Sequence, residues 1–159
     1  MLVLELLLLL IIANGAPIAA RNLLNDRWDC PIDAGWQLWD GRPLFGASKT
    51  VRGLIASLLL TSLCALLLGL PLMLGLVIAM FAMIGDLLSS FIKRRLGVPP
   101  SGMALGLDQV PESLLPLLVV KADLGLEMGQ VVELTAAFLV LELVLSRILY
   151  RLKIRQRPF

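Results

Sequence analysis

Long apolar runs alternate with short polar segments along the whole chain. The runs predict five helices, over residues 2–20, 53–69, 72–95, about 105–121 and 130–150. Each run falls within the roughly 17–25 residues that a membrane-crossing helix needs. The pattern therefore predicts an all-α polytopic membrane protein, with five transmembrane helices in a single domain over residues 1–159.

Two polar segments interrupt the apolar pattern most strongly. The longer one, residues 21–52, contains dense turn signals and all three tryptophans, Trp28, Trp36 and Trp39. Tryptophan is favoured where a membrane meets water, so we expect this segment to lie along the membrane surface. The other, residues 93–108, contains a loop rich in Gly and Pro, which favours turns over helix.

Lysine and arginine are distributed unevenly between the polar segments. Residues 21–52 contain five, residues 93–108 three and residues 147–157 five, whereas the alternate connections contain one, Lys121. Because the cytoplasmic loops of membrane proteins are enriched in Lys and Arg, we expect the N-terminus outside and the C-terminus in the cytoplasm. Both long polar segments then lie on the cytoplasmic side of the cell membrane, where they can form one site.

The first apolar run resembles a signal peptide only in part. Residues 2–13 are apolar, but no Lys or Arg precedes them and Glu5 lies within them, so a retained helix is favoured. We expect an interruption near its end, since Pro17 removes a backbone hydrogen bond and Gly15 permits a bend. Asn14 in this break either presents its amide to a ligand or satisfies freed backbone groups, and the second is slightly favoured.

Composition supports the membrane class and narrows the chemistry. Apolar residues make up 58% of the chain and the mean hydropathy is +0.90, whereas soluble domains average about 45–50% apolar. The absence of histidine removes the commonest general base and zinc ligand. Cys30 and Cys64 lie in dissimilar segments, so a disulfide between them is not expected. Catalysis would rest on carboxylates, cations, hydroxyls and a metal bound by oxygen.

Four polar side chains of the third predicted helix share one face. Their i, i+3, i+4, i+7 spacing places them together: Asp86, Ser89, Ser90 and Lys93. Arg94 lies beside this face and Arg95 points away from it. Because such a face is costly in lipid, we expect it to bind a polar partner.

The same loops supply carboxylates and cations in the combination that phosphate chemistry needs. Asp86 and Asp108 flank one loop, and two carboxylates suit Mg²⁺, which keeps waters and phosphate oxygens in its shell. Further cations favour a phosphate-bearing ligand: Lys49, Arg52, Lys93 and Arg94. Metal, cations and positioning suffice for nucleotidyl transfer. Helix-end cations that only anchor the chain are the alternative, and for Lys49 and Arg52 the spacing does not decide.

Three further carboxylates lie in apolar runs. Glu142 shares a helix face with Ser146, four residues later, and can face the inside of the bundle. Glu5 and Glu133 fall near the predicted outer ends, where we expect them to be hydrated or paired. The sequence assigns no role to any of the three.

Several motifs, in this order, resemble those of the CDP-archaeol synthase family of membrane CTP-transferases, distant relatives of the phosphatidate cytidylyltransferases. They are ANGAP at 13–17, PID at 31–33, DGRPLFG at 40–46, KTVRG at 49–53, GDLLSSFIKRRLG at 85–97 and LDQ at 107–109. The combination of DGRPLFG, KT and SFIKRR is specific. The segment VPESLLP after LDQ departs from the family's pattern, which more often continues with another Asp and an aromatic, and this leaves the acceptor lipid open.

The resemblance implies a cytoplasm-facing cytidylyltransferase (EC 2.7.7 type) that uses Mg²⁺, CTP and a lipid phosphate to make a CDP-activated lipid and pyrophosphate. Asp86 and Asp108 would be the metal carboxylates and, with Lys93, the catalytic residues. The implied phosphate ligands are Lys49, Arg52, Lys93 and Arg94, and the implied loop or nucleotide contacts are Asn14, Asp33, Asp40 and Arg42. Further implied substrate-binding residues are Thr50, Ser89, Ser90 and Gln109. Membrane lipids are further partners, nucleic acid is not, and a homo-oligomer is left open.

Two other functions fit the sequence less well. A CDP-alcohol phosphotransferase would need an Asp-rich signature that Asp40-Gly41 does not meet. A small transporter or a non-enzymatic subunit of a membrane complex would leave the cytoplasmic clustering of Asp, Ser and Lys unexplained.

Overall fold

The computed structural model describes residues 1–25, 27–100, 102, 104 and 106–151. These residues form five helices and no named strand, which confirms the all-α, five-helix prediction. The helices are α1 (Leu2–Leu24), α2 (Val51–Leu67), α3 (Leu72–Arg95), α4 (Gln109–Leu124) and α5 (Met128–Arg151). The third helix has the predicted bounds, whereas α4 begins four residues later than expected and α1 continues four residues further.

Two helices, α1 and α3, are long and apolar enough to cross a membrane, with mean hydropathies of 2.3 and 2.2. The helix α2 is apolar but shorter, at 17 residues. These two helices support the prediction that the chain is a membrane protein. Five crossings and the orientation of the termini stay predictions.

The predicted interruption of the first helix is wrong, because α1 runs unbroken through Pro17. Proline has no N–H to donate to the carbonyl four residues earlier, which here belongs to Ala13. The hydroxyl of Ser57 in α2 donates to that carbonyl instead, at 2.7 Å. The amide of Asn14 donates to Leu10 O at 3.0 Å. Asn14 thus bonds a backbone carbonyl, but not the one that Pro17 leaves without a donor.

The first helix lies at the centre of the bundle and packs against the other four. Leu6, Leu9 and Leu10 of α1 and Phe138 of α5 have no exposed surface. Burial of this apolar side of α1 against its neighbours holds the helices together, with van der Waals packing as the main contribution inside a membrane.

Small residues let the helices approach closely beside the polar face of α3. A Cβ atom on Gly85 would overlap the backbone of Pro111 in α4, and one on Gly75 would lie 2.7 Å from the Cβ of Ala65 in α2. The close contact at Gly85 brings the start of α4 directly against Asp86, the next residue of α3.

Candidate active site

A cavity of about 520 Å³ lies where all five helices and the long polar loop meet. Ten of the predicted site residues line it: Asn14, Lys49, Thr50, Arg52, Asp86, Ser90, Lys93, Arg94, Asp108 and Gln109. The structure therefore brings residues from both predicted polar segments into one place, as the sequence led us to expect.

Lys49 of the loop meets Asp86 of α3 inside the cavity. The ammonium of Lys49 lies 2.5 Å from each oxygen of the Asp86 carboxylate. Burial acts to lower the pKa of Lys49, but the negative charge of Asp86 outweighs it and raises the pKa above its usual value. The loop therefore contributes a charged ammonium that holds it to the polar face of α3.

A second lysine–aspartate pair forms the other side of the cavity. Lys93 Nζ lies 2.5 Å from Asp108 Oδ1 and donates to Gly102 O at 3.1 Å. Asp108 Oδ2 accepts from the backbone N–H of Ala104 at 3.1 Å. Although Oδ1 contacts the ammonium, this buried oxygen accepts no hydrogen bond of good geometry from the described residues. Binding of a metal ion at this oxygen would require the Lys93 ammonium to move away from it.

Arg94 is the buried cation whose donors are least satisfied. Its side chain lines the cavity and only 3% of the residue is exposed. Its Nε and Nη1 atoms have no hydrogen-bond partner among the described residues. Because leaving a buried donor unpaired costs about 1–3 kcal/mol, and more for a charged group, this guanidinium is suited to bind an anion that enters the cavity.

The predicted magnesium carboxylates, Asp86 and Asp108, line the same cavity. No group of three or more His, Cys, Asp or Glu side chains surrounds a single point in the described ranges. Magnesium is usually bound by one or two carboxylates, with waters and substrate phosphates completing its shell. Two carboxylates that line one cavity therefore fit a magnesium ion that binds together with phosphate.

Two residues at the edge of the cavity form hydrogen bonds with other groups of the protein. Arg52 donates from Nη1 to Asn25 O and Arg27 O, and from Nη2 to Asp29 at 2.6 Å. Thr50 is the N-cap of α2, and its hydroxyl accepts from Gly53 N–H at 3.3 Å. These contacts indicate that both residues have structural roles. Phosphate binding by Arg52 stays a prediction, because Nη1 and Nη2 already donate to the protein.

Asp33 lies away from the cavity and organises the loop. Its carboxylate accepts from the backbone N–H groups of Gly35, Phe45 and Gly46 at 2.9–3.1 Å. Partial burial acts to raise the pKa of Asp33, but these hydrogen bonds lower it below the usual aspartate value. The negative charge of Asp33 therefore holds together the two ends of the segment 33–46.

Three more predicted substrate contacts are absent from the cavity lining. Ser89 has no exposed surface and donates to Asp86 O at 2.9 Å. Asp40 pairs with Arg95 at 2.7 Å, and Arg42 donates to carbonyls at the end of α3. Their assignment to the nucleotide stays a prediction. The expectation that Arg95 points away was incomplete, because this side chain binds the loop.

The sequence reasoning missed Glu112 as a member of the site. Glu112 is 6% exposed and lines the same cavity as Asp86. Its position one helical turn after Asp108 was the available signal. On α5, Glu142 and Ser146 both line the cavity, which confirms that this face points into the bundle.

Comparisons with known proteins agree with this geometry. A family model described as CarS-like, CDP-archaeol synthase, matches residues 2–159. The CDP-archaeol synthase of Pyrobaculum arsenaticum is 38% identical over 68% of this chain and 67% of its own length. That of Saccharolobus islandicus is 40% identical over 62% of this chain and 59% of its own. The alignments thus span about three fifths to two thirds of these relatives.

A solved structure is also similar. It is described as giving structural insight into an intramembrane enzyme for archaeal membrane lipids biosynthesis. The two chains share 38% sequence identity and a TM-score of 0.72, over 89% of this chain and 90% of that one. The likeness therefore extends across the whole bundle, well beyond the motifs.

Proposed function

The chain belongs to the CDP-archaeol synthase family, and we propose that it transfers the cytidylyl group of CTP to a lipid phosphate in the cavity described above. The products are a CDP-activated lipid and pyrophosphate. One observation carries the assignment of the site: the buried, unpaired donors of Arg94 line the same cavity as Lys49, Lys93 and two aspartates. This arrangement suits a triphosphate bound with a divalent cation.

The chain's own residues supply binding and charge. Arg94 donates to phosphate oxygens through its unpaired nitrogens, and Lys93, one residue before it, places a second positive charge in the same cavity. A lipid phosphate oxygen attacks the α-phosphorus of CTP, and the bond to the β-phosphate oxygen breaks. The lysine and arginine charges stabilise the negative charge that builds on the transferred phosphoryl group.

Asp86 and Asp108 would hold the magnesium ion. When bound, magnesium neutralises phosphate oxygens and polarises the phosphoryl group. Both aspartates are paired with lysines, at 2.5 Å each. Lys49 and Lys93 therefore hold the two carboxylates in place before the ligands arrive, and each lysine can then turn to the phosphates.

The cavity faces the cytoplasm in this proposal, and all five helices cross the membrane. It is lined near the C-terminal end of α1 by Arg21, the start of α2 by Arg52, the end of α3 by Lys93 and the start of α4 by Asp108. In an up-and-down bundle these ends lie on one side. Of the lysines and arginines in the described residues, all except Lys121 fall in the segments at this end. That charge distribution supports a cytoplasmic orientation, with CTP entering from the cytoplasm.

The acceptor is proposed from the relatives' name, which implies archaeol phosphate. The test supplies the purified protein in detergent with CTP, Mg²⁺ and, separately, archaeol phosphate and phosphatidate. We expect CDP-lipid and pyrophosphate in equal amounts from archaeol phosphate. If CTP binds but neither lipid yields a CDP-lipid, the cytidylyltransferase assignment is overturned. A product from phosphatidate alone would correct the acceptor and leave the reaction intact.

A further inference from the structure

The segment DGRPLFG, residues 40–46, does not reach the cavity but is bound to the end of α3. Arg95 donates from Nη1 to Asp40 Oδ1 at 2.7 Å, and from Nη2 to Pro43 O at 2.6 Å and Arg42 O at 3.2 Å. Its guanidinium also lies 5.3 Å from the ring centroid of Phe91, a cation–π distance. Arg95 therefore makes three hydrogen bonds to the loop from a defined orientation.

Arg42 makes the reciprocal contact, from the loop to the helix. Its Nη1 donates to Arg95 O at 2.6 Å and Arg94 O at 3.2 Å. The last four carbonyls of a helix have no intrahelical partner, and a cation there also interacts favourably with the helix dipole. A Cβ on Gly97, whose φ is +79°, would lie 3.5 Å from the Arg42 guanidinium. We call Asp40, Arg42 and Arg95 together the clasp.

The clasp connects the two segments that supply cations to the cavity, the end of α3 with Lys93 and Arg94 and the loop with Lys49. On the helix side, Lys93 and Arg94 immediately precede Arg95. On the loop side, Asp33 binds the N–H groups of Phe45 and Gly46, and Lys49 N–H donates to Gly46 O at 3.1 Å. A continuous path of hydrogen bonds and short backbone therefore leads from the clasp to Lys49, whose ammonium must meet Asp86.

We propose that Asp40, Arg42 and Arg95 are positioning residues that set the distance between Lys49 and the Lys93–Arg94 pair, and do not contact the nucleotide. This inference rests on the proposed function, since the distance concerns the binding of CTP phosphates. Under this proposal the DGRPLFG motif and Arg95, the last of the three consecutive basic residues of α3, have a shared role. The family resemblance left Asp40 and Arg42 as either loop or nucleotide contacts, and it assigned no role to Arg95.

The charge of Asp40 separates positioning from direct contact. If Arg42 and Arg95 bound CTP phosphates directly, removal of the nearby negative charge in Asp40→Asn would leave CTP binding unchanged or tighten it. If the clasp acts by position, Asp40→Asn weakens CTP binding, because Arg95 loses its ionic partner in the loop. The two models thus predict different outcomes for one substitution: weaker CTP binding supports positioning, and unchanged or tighter binding contradicts it.

Replacement of Arg95 by lysine gives a second distinction. Lysine keeps the positive charge but cannot make the forked contacts of a guanidinium. The clasp predicts that Arg95→Lys resembles Arg95→Ala, with a KM for CTP about tenfold higher, the size expected for lost charged hydrogen bonds, and a smaller change in kcat. Full rescue by lysine would show that charge alone matters and would overturn the proposal.

The experiment measures the KM for CTP, kcat and amide hydrogen exchange of residues 40–49 in the full-length protein. Wild type, Asp40→Asn, Arg95→Ala, Arg95→Lys and the double variant Asp40→Asn/Arg95→Ala are compared, with Lys121→Ala, in the last turn of α4, as the matched loss of a cation. We expect faster exchange in residues 40–49 in the four clasp variants, no added effect in the double variant, and wild-type values for Lys121→Ala.

Unchanged exchange in the clasp variants, or tighter CTP binding by Asp40→Asn, would contradict the clasp. Amide exchange needs no turnover, so it tests the clasp even if the wild-type protein were to form no CDP-lipid. Failure of the proposed function is thereby distinguished from failure of this inference.

Discussion

At the scale of single residues, the cations that line the cavity differ in how completely their donors are paired. Lys49 and Lys93 have carboxylate partners at 2.5 Å, and Arg52 is bonded to backbone carbonyls and Asp29. Arg94 differs, with two buried nitrogens that have no partner in the described part of the chain. The sequence predicted which residue types gather here, but it treated the four cations alike, because spacing does not show which charge is already neutralised.

Arg94→Ala should weaken CTP binding more than any other single change among the four cations. Charged hydrogen bonds of about 1.5–3 kcal/mol correspond to a loss of about 10–100-fold in affinity. Arg94→Lys should recover part of this loss, because it restores charge without the planar fork. Binding of labelled CTP by equilibrium dialysis measures both. An unaffected affinity in Arg94→Ala would remove Arg94 from the phosphate site.

Asp33 should make the loop sensitive to acid. Because its folded-state pKa lies below the usual value of 3.8, its contribution to stability is present above that value and is lost as the pH falls through the lowered pKa. We expect Asp33→Asn to speed amide exchange at Phe45 and Gly46 at pH 7. The difference from wild type should shrink as the pH falls below 3.8. A difference that is constant with pH would show that the charge of Asp33 is not responsible.

At the scale of helices, the sequence predicted most of the structure and failed where a neighbouring helix changes the outcome. The third helix was predicted with correct bounds because its apolar pattern and basic end both continue to Arg95. The break at Pro17 did not occur, since Ser57 of α2 replaces the missing hydrogen bond to Ala13. The pattern of one helix contains no information about such a partner on another.

Ser57→Ala should therefore destabilise the packing of α1 on α2. The change leaves Ala13 O without its donor, and we expect a loss of roughly 0.6–1.7 kcal/mol in unfolding free energy, from the average to the maximum measured for interhelical hydrogen bonds in a membrane protein. Ser62→Ala is the matched control in the same helix, because its buried hydroxyl has no partner among the described residues. Unfolding in mixed micelles by denaturing detergent measures both. Equal effects of the two substitutions would refute the role of Ser57.

At the scale of the whole molecule, one end of the bundle gathers the site. The ends of α1 and α3 meet the starts of α2 and α4 around the cavity, and the clasp joins the loop to the end of α3. Lys/Arg counts predicted that these segments share one side. They did not predict the pairing of Arg95 with the loop, or the presence of Glu112, because these depend on contacts between segments distant in sequence.

The accessibility of Cys30 to labelling tests which side of the membrane this end of the bundle faces. It is exposed and lies in the loop that forms one wall of the cavity, while Cys64 lies within α2. In a Cys64→Ala background, a membrane-impermeant maleimide should label Cys30 in inside-out vesicles and leave it unmodified in right-side-out vesicles. Labelling of Cys30 from the outside would reverse the proposed topology and place the cavity away from cytoplasmic CTP.

The central claim is that the cavity transfers the cytidylyl group of CTP to a lipid. The most direct measurement follows CTP labelled at the α-phosphate, and separately at the γ-phosphate, with the purified protein, Mg²⁺ and archaeol phosphate. We expect the α-label to enter the lipid and the γ-label to leave as pyrophosphate. We also expect Asp86→Asn to abolish transfer in a folded, membrane-inserted protein. Entry of γ-label into lipid, or normal transfer by Asp86→Asn, would contradict the central claim.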